Sequence, residues 1–202
     1  VVNHPARDDR RERQPAQPLT WAEMFSLIDR ARAVEGWRLE RLARFRTISP
    51  PATGAARHRV VRAALAQIGR PYVWGGSWPG PRSPWGRQAA GGFDCSGLVW
   101  FAFRRAGVSR AIAPWRTTAD RLAFGFGARR IPVARALPGD LVFFGPRGPR
   151  SRPGDISHVG IALGGGWMVH SAGSRGGVSI SHLDDYWPRA TAFARRVALP
   201  AA

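Results

Sequence analysis

The chain has 202 residues, a length that can bury one sizeable core and carry a smaller appendage. Its composition, with 44% hydrophobic residues, is that of a globular protein, and no apolar run approaches the roughly 20 residues that a membrane-spanning helix needs. The charge is unusual, because the formal net charge is +18 and all 31 basic residues are Arg. Such an excess indicates a polyanionic neighbour, which nucleic acid, anionic lipid or an acidic wall polymer would each provide.

The N-terminal quarter differs in composition from the rest. Residues 1–18 are polar, charged and Pro-containing, which predicts a disordered segment. A capping box at Thr20 and Glu23 begins a helical pattern that runs to about Arg46, and a Pro-Pro pair then indicates a linker. The predicted organisation is a disordered segment at 1–18, a helical segment with its linker at 19–55, and a dense domain at 56–202. The apolar face of the helix needs a partner, and we favour the back of the domain over its groove.

The chain begins at Val1 and shows no signal-peptide pattern of a basic start, an apolar stretch and a small-residue cleavage site. We therefore expect a processed or truncated chain, for which the missing signal says little about export.

The dense domain begins with helices and continues with strands. Residues 56–69 predict a helix ending at Gly69, and residues 95–107 predict a helix that is apolar nearly all round and therefore buried. Between them, residues 77–92 form a Pro-, Gly- and Trp-rich loop that exceeds the usual loop length, so it is either functional or mobile. Strand-like runs follow at 141–144, 157–163, 167–172, 178–180 and 191–197. Helices followed by an antiparallel sheet predict an α+β fold.

Cys95 is the only cysteine, which excludes an internal disulfide framework and a zinc site built from several cysteines. Asp94 stands where an N-cap would accept backbone N–H bonds, so Cys95 becomes the first residue of the buried helix. The positive end of the helix dipole favours the thiolate there, and the N–H groups of the same turn are suited to hold an oxyanion. The alternative is a small buried hydrophobe. The position predicts a nucleophile.

Two histidines offer the base that such a nucleophile needs. The runs SHVGIAL and WMVHSA flank Gly164-Gly165-Gly166, which predicts a hairpin with a three-residue loop closed by a Leu163–Trp167 pair. In that register His170 lies opposite Gly160, so His158 and His170 share a face as diagonal neighbours. One imidazole is then placed to accept the thiol proton while the other fixes its tautomer. The alternative is two unrelated surface histidines. None of the five His has metal-site spacing, so no metal or other cofactor is expected.

Four stretches carry a resemblance to a known family. GRPYVWGG (69–76), FDCSGLVWFAF (93–103), PGDLVFF (138–144) and DISHVGIALGGGWMVHSA (155–172) resemble, in order and spacing, the NlpC/P60 family of cell-wall cysteine peptidases. The likeness covers roughly residues 56–198, and the order Cys before His matches the direct arrangement of the family and not its permuted relatives. The 77–92 loop is much longer than the family's usual one, and residues 1–55 match nothing in it.

The resemblance implies a papain-like α+β fold in which the nucleophile helix packs on an antiparallel sheet. It implies Cys95 as nucleophile, His158 as general base and His170 as the orienting third member. By the same resemblance, Tyr72 lies near the oxyanion site and Ser96 contacts substrate. The family hydrolyses amide bonds in peptidoglycan stem peptides, typically between D-γ-glutamate and a diamino acid, and acts outside the cell or at the wall.

Several other features leave alternatives open. Trp74, Trp78 and Trp85 lie on or near the long loop, either as an aromatic rim for substrate or as packing on the core. The Arg residues are dispersed and no helix-turn-helix, RNA-recognition or zinc signature is present, so no specific nucleic-acid partner is expected. The alternatives to a peptidase are a nucleic-acid- or wall-polymer-binding module without hydrolysis, and an acyl or amide transferase of the same fold. The sequence leaves the oligomeric state open.

Overall fold

The computed structural model describes residues 54–84, 86–88, 91–112, 117–125, 128–184 and 188–199. The chain separates into two units, Val1–Thr47 and Ile48–Ala202, and every described residue belongs to the second. The predicted disordered segment, N-terminal helix and linker lie outside these residues, apart from the last two positions of the linker. The helices are α1 (Ala55–Leu65), α2 (Cys95–Arg105) and α3 (Ala119–Phe124). The strands are β1 (Ser77–Trp78), β2 (Arg82–Ser83), β3 (Gly86–Arg87), β4 (Gly92–Phe93), β5 (Arg129–Ile131), β6 (Leu141–Phe144), β7 (His158–Gly164), β8 (Trp167–Ala172), β9 (Gly177–His182) and β10 (Thr191–Arg196).

Helix α2 lies at the centre of the core. Its residues from Cys95 to Phe103 are all buried, as the apolar run predicts. It ends in a Schellman motif, because Gly107 is in the left-handed region (φ +77°) and its N–H bonds to the Arg104 carbonyl while the Val108 N–H bonds to that of Phe103. The helix packs against β7 and β8, so α2 lies on the sheet as predicted.

Helix α1 is shorter than its apolar pattern predicts. It ends at Leu65, not at Gly69, and Ile68 is 50% exposed where the pattern placed it on the buried face. The reason is a tertiary contact: the Gly69 N–H bonds to the Val178 carbonyl and the Val178 N–H to the Arg70 carbonyl. Pairing with β9 draws the chain out of the helix before the pattern ends.

The main sheet has six antiparallel strands in the order β5-β10-β6-β7-β8-β9. One face packs against the helices and includes Leu141, Phe143, Val159, Ile161 and Val169. The opposite face carries a second apolar cluster with Val142, Phe144, Ala162, Met168 and Ala194. Because both faces of the central strands β6, β7 and β8 are buried, these strands are largely apolar runs. The sequence identifies the five predicted strands to within two residues at each end. Strand β5 and helix α3 were not predicted.

The long Pro-, Gly- and Trp-rich loop is organised by short antiparallel pairs. Strand β1 pairs with β4, and β2 pairs with β3 inside them. The Gln88 side chain, just after β3, binds β1, since its amide donates to the Trp78 carbonyl (2.7 Å) and its Oε1 accepts from the Ser77 N–H (3.1 Å). The described part of this loop is therefore ordered structure that ends directly at the start of α2.

A buried carboxylate ties three segments together. Asp140 is fully buried, and its oxygens accept from Arg57 of α1 (2.6 Å) and from Arg196 of β10 (2.8 Å). It also accepts from the Leu137 N–H at 2.9 Å. Two guanidinium groups and one backbone donor satisfy the buried charge, as a buried carboxylate requires.

Candidate active site

Asp94 caps the helix that begins at Cys95. Its Oδ1 accepts from the Gly97 N–H (2.6 Å) and its Oδ2 from the Gly75 N–H (3.0 Å). Gly97 has to be glycine, because a Cβ there would lie 1.9 Å from the Gly76 carbonyl oxygen. The cap and this close contact fix the direction of the first helical turn, and with it the position of the buried Cys95.

The start of α2 is attached to one end of the main sheet. Tyr72 forms a parallel bridge to Phe93, and Pro71 forms an antiparallel bridge to Gly177 at the start of β9. The buried Ser171 hydroxyl, near the end of β8, donates to the Phe93 carbonyl at 2.7 Å. These contacts hold the residues just before Cys95 at the end of the sheet where β8 ends and β9 begins. Since β7 runs antiparallel to β8, this is also the end where β7 begins, at His158.

The hairpin of β7 and β8 differs slightly from the prediction. Gly164 pairs with Trp167, so the turn has two residues and not three, and an irregularity between Ala162 and Gly164 absorbs the extra residue. Beyond it, Ala162 pairs with Met168, which is the register that the sequence predicted. A β-bulge accounts for the difference, because it lets the favoured two-residue glycine turn coexist with that register.

The two histidines on this hairpin contact each other. His158 Nε2 lies 2.8 Å from His170 Nδ1, and the rings meet edge to face with centroids 5.0 Å apart. His158 is 6% exposed and His170 is fully buried. The alternative of two unrelated surface histidines is therefore wrong.

Burial sets the charge state of this pair. Desolvation lowers the pKa of His158 to about 4. Burial, and then the charges of His158 and Arg175, lower the pKa of His170 to about 3. Both imidazoles are therefore neutral near pH 7, so each carries one N–H donor and one bare nitrogen acceptor. A neutral imidazole is the form that accepts a proton.

Sequence reasoning missed Ser181. Its hydroxyl lies 2.9 Å from His170 Nε2, and the residue is 6% exposed. Ser181 lies on β9, two positions from Ser179, which is the residue directly opposite His170. Diagonal neighbours on one sheet face are within side-chain reach. Pairing of the predicted strand at 178–180 with β8 would therefore have indicated that a serine of this strand lies near His170.

Tyr72 and Ser96, the two predicted oxyanion and substrate residues, differ in burial and contacts. Tyr72 is half-buried, and its ring lies against the turn that follows β8, because a Cβ on Gly173 would be 3.6 Å from it. Ser96 is 4% exposed, and its hydroxyl donates to Asp94 Oδ1 at 3.0 Å. This bond makes Ser96 part of the cap, while its contact with substrate stays a prediction.

The tryptophans near the long loop separate into two environments. Trp74 is 88% exposed and belongs to the turn between Tyr72 and β1. Trp78 is half-buried and packs edge to face on Phe101 of α2, with centroids 5.2 Å apart. Trp85 lies outside the described residues. Of the described pair, only Trp74 has the exposure that a substrate rim requires.

The described ranges offer neither a metal site nor a membrane span. No group of three or more His, Cys, Asp or Glu side chains among them is arranged to hold a metal ion. No helix within the same ranges has the length and apolar character needed to cross a membrane.

Comparison with known proteins defines the class. The profile of the NlpC/P60 family matches residues 69–196, and the chain belongs to that family. The four stretches that carried the resemblance all fall in or at the edge of the matched range.

Named relatives share this region. Peptidoglycan endopeptidase RipB of Mycobacterium tuberculosis is 42% identical over 124 residues, which are 60% of this chain and 46% of that protein. Murein DD-endopeptidase MepH of Escherichia coli is 36% identical over 137 residues, 67% of this chain and 44% of that protein. Bifunctional muramidase/DL-endopeptidase CwlT of Bacillus subtilis is 37% identical over 129 residues, 63% of this chain and 32% of that protein. The chain thus spans less than half the length of each of these relatives.

A solved structure shows the same fold. The structure of the peptidoglycan hydrolase RipB from M. tuberculosis superposes with a TM-score of 0.54 at 36% identity, covering 71% of this chain and 66% of that one. The α+β fold with a helix on an antiparallel sheet is therefore confirmed.

Proposed function

We propose that this chain is a cysteine peptidase that hydrolyses amide bonds in the stem peptides of peptidoglycan, and that residues 56–202 form its catalytic domain. Membership of the NlpC/P60 family and relatives named peptidoglycan endopeptidases support the reaction class. The observation that carries the assignment to this site is the buried contact between His158 and His170, at the end of the sheet to which the start of α2 is attached.

Each residue has a role in the proposed reaction. The Cys95 sulfur attacks the peptide carbonyl while His158 takes the thiol proton, and His158 then gives this proton to the leaving amine as the thioester forms. Water attacks the thioester with His158 again as base, which releases the carboxylate and restores the thiol. The first-turn N–H groups of α2, with Tyr72 beside them, stabilise the oxyanion of both steps.

We infer the role of each ring nitrogen from the contact between the two histidines. Because His158 Nε2 contacts His170, the thiol proton has to be taken by Nδ1. Nδ1 accepts a proton only when Nε2 carries the ring hydrogen and donates it to His170 Nδ1. His170 therefore orients the base and fixes its tautomer, as the third member of a Cys-His-His set.

We propose the D-γ-glutamyl–diamino acid bond as the scissile one, as the family resemblance implies. The relatives' names include a DD-endopeptidase and a DL-endopeptidase, so the bond has to be measured. Trp74 is the proposed rim contact because it is 88% exposed near the nucleophile helix.

A wall location follows from this substrate. We propose that the enzyme acts outside the cell or at the wall, and that its net charge of +18 attracts it to anionic wall polymers. Exposed arginines lie on α1, in the β2–β3 pair and at the end of α2, so the charge is spread over the domain. A positive charge that is distributed over the surface attracts an anionic polymer without a dedicated binding site.

The test is mass spectrometry of purified muropeptides incubated with the chain and with Cys95→Ala. We expect one cleaved amide bond with the wild-type chain and none with the variant, whose folding is checked by its melting temperature. Iodoacetamide should label the chain once and abolish cleavage, because Cys95 is the only thiol. Full cleavage by Cys95→Ala would refute the mechanism, and a product that retains an acyl acceptor other than water would identify a transferase.

The histidine pair is tested in the same assay. We expect His158→Ala to lose nearly all turnover, because the proton acceptor is gone. His170→Ala should retain a trace, and His170→Gln should recover part of the rate, since its amide can accept from His158 and donate to Ser181. Equal and complete loss in both His170 variants would show that His170 does more than orient the base.

A further inference from the structure

His170 uses both of its ring nitrogens although no part of the ring is exposed. Nδ1 contacts His158 at 2.8 Å and Nε2 contacts the Ser181 hydroxyl at 2.9 Å. A histidine that only braced its neighbour would need one of these contacts. The second contact joins β9 to the site and makes a row of three buried polar side chains across β7, β8 and β9.

We propose that Ser181 is a positioning residue of this site, whose hydroxyl accepts the His170 Nε2–H and thereby sets the tautomers of both histidines. This inference rests on the proposed function, because it gives Ser181 a part in preparing His158 as base. If Ser181 accepts at Nε2, His170 Nδ1 is bare and accepts from His158 Nε2–H. The proton-accepting nitrogen of His158 is then Nδ1, as the reaction requires.

Loss of the Ser181 hydroxyl should reverse the tautomers of both histidines. Once that hydroxyl is removed, an Nε2–H on the fully buried His170 loses the acceptor that lies 2.9 Å from it, and a buried donor without its acceptor is costly. The ring avoids that state by carrying its hydrogen on Nδ1 and donating it to His158 Nε2. His158 then carries its own hydrogen on Nδ1 and loses the ability to accept the thiol proton there.

The strand provides a matched control. Ser179 lies on the same face of β9, directly opposite His170, and its buried hydroxyl has no hydrogen-bond partner among the described residues. Removal of this hydroxyl should therefore change local packing as little as removal of the Ser181 hydroxyl, without removing a hydrogen bond to the histidine pair. Ser179→Ala separates the loss of a hydroxyl on β9 from the loss of this hydrogen bond.

The experiment compares Ser181→Val with Ser181→Thr, which have nearly the same shape and differ in the hydroxyl. We measure kcat and KM on the cleaved muropeptide, the rate of Cys95 alkylation by iodoacetamide near pH 7, and the imidazole ¹⁵N shifts, assigned with His158→Gln and His170→Gln. Alkylation and ¹⁵N shifts need no peptidoglycan, so they test Ser181 even if the chain cleaves no muropeptide.

We expect Ser181→Val to lower kcat and the alkylation rate by about tenfold with KM unchanged, which is the lower end of the range found for partners that orient metal-binding histidines. The ¹⁵N shifts should show the His170 hydrogen moved from Nε2 to Nδ1. Ser181→Thr and Ser179→Ala should match the wild type. The proposal is overturned if Ser181→Val keeps both the alkylation rate and the Nε2 hydrogen, or if Ser181→Thr loses as much as Ser181→Val. If Ser181→Val does not fold, Ser181→Ala takes its place with the same two outcomes.

Discussion

The buried histidine pair makes the stability of the domain depend on pH in a defined window. In the unfolded chain a histidine has a pKa of about 6.5, whereas in the folded protein burial lowers the pKa of His158 to about 4 and of His170 to about 3. As pH falls below about 6.5, the unfolded chain therefore binds protons that the folded protein does not, and the free energy of unfolding decreases. The loss continues until pH reaches the folded-state pKa values.

The size of the effect follows from linkage. Between about pH 8 and pH 5, a histidine with these folded and unfolded pKa values loses about 2 kcal/mol of stabilisation, and the pair loses about 4 kcal/mol. That is a large part of the roughly 5–15 kcal/mol that stabilises a typical domain. Carboxylates contribute little in this window, because unfolded Asp titrates near a pKa of about 3.9. The window therefore isolates the histidines.

The assay is urea unfolding followed by tryptophan fluorescence across this pH range, in a Cys95→Ala background so that no thiolate can hold an imidazole charged. We expect His170→Gln to remove about 2 kcal/mol of the pH-dependent loss, because Gln fills the site without titrating. His58→Gln is the control, since it replaces an exposed histidine on α1 by the same residue outside the buried pair. Parallel profiles for the background and for His170→Gln would refute the argument that burial keeps His170 neutral.

Three further predictions concern the rest of the domain. Asp140→Ala should lower the free energy of unfolding by about 3 kcal/mol in urea, because it removes the buried counter-ion of both Arg57 and Arg196, and a loss below about 1 kcal/mol would contradict this role. Trp74→Ala should raise KM for muropeptides with an unchanged melting temperature, whereas Trp78→Ala should lower the melting temperature. The reverse pattern would show that Trp78 contacts substrate and that Trp74 stabilises the core. Binding to whole sacculi should weaken steeply with salt while hydrolysis of a small soluble muropeptide changes much less, and tight, sequence-selective binding to DNA at physiological salt would instead favour a nucleic-acid partner.

The parts of the site that lie in one continuous stretch of sequence could be predicted. Asp94 could be placed as a cap because capping depends on residue type and on position before an apolar run. His158 and His170 could be brought together because they lie on one hairpin, where register follows from the turn. The turn was wrong by one residue, yet the bulge restored the register on which the pair depends.

The parts that depend on distant pairing could not be predicted. The contact of Ser181 with His170 can be predicted only when the register between β8 and β9 is known. Nothing in the neighbouring sequence distinguishes Ser181 from Ser179. The early end of α1 is set by pairing of residues 69–70 with β9, which overrides a helical pattern that continues to Ile68. In both cases the deciding contact joins segments far apart in the sequence.

The burial of the histidine pair joins the stability argument to the proposed mechanism. Burial keeps both rings neutral, which makes His158 able to accept a proton near pH 7. The contacts from His158 to His170 and from His170 to Ser181 engage three of the four ring nitrogens. The fourth is His158 Nδ1, the atom proposed to take the thiol proton. The same desolvation that destabilises the fold in acid therefore keeps His158 in its proton-accepting form. Stability should begin to fall below about pH 6.5, whereas the activity of the folded protein should persist until pH approaches the folded-state pKa of His158, about 4.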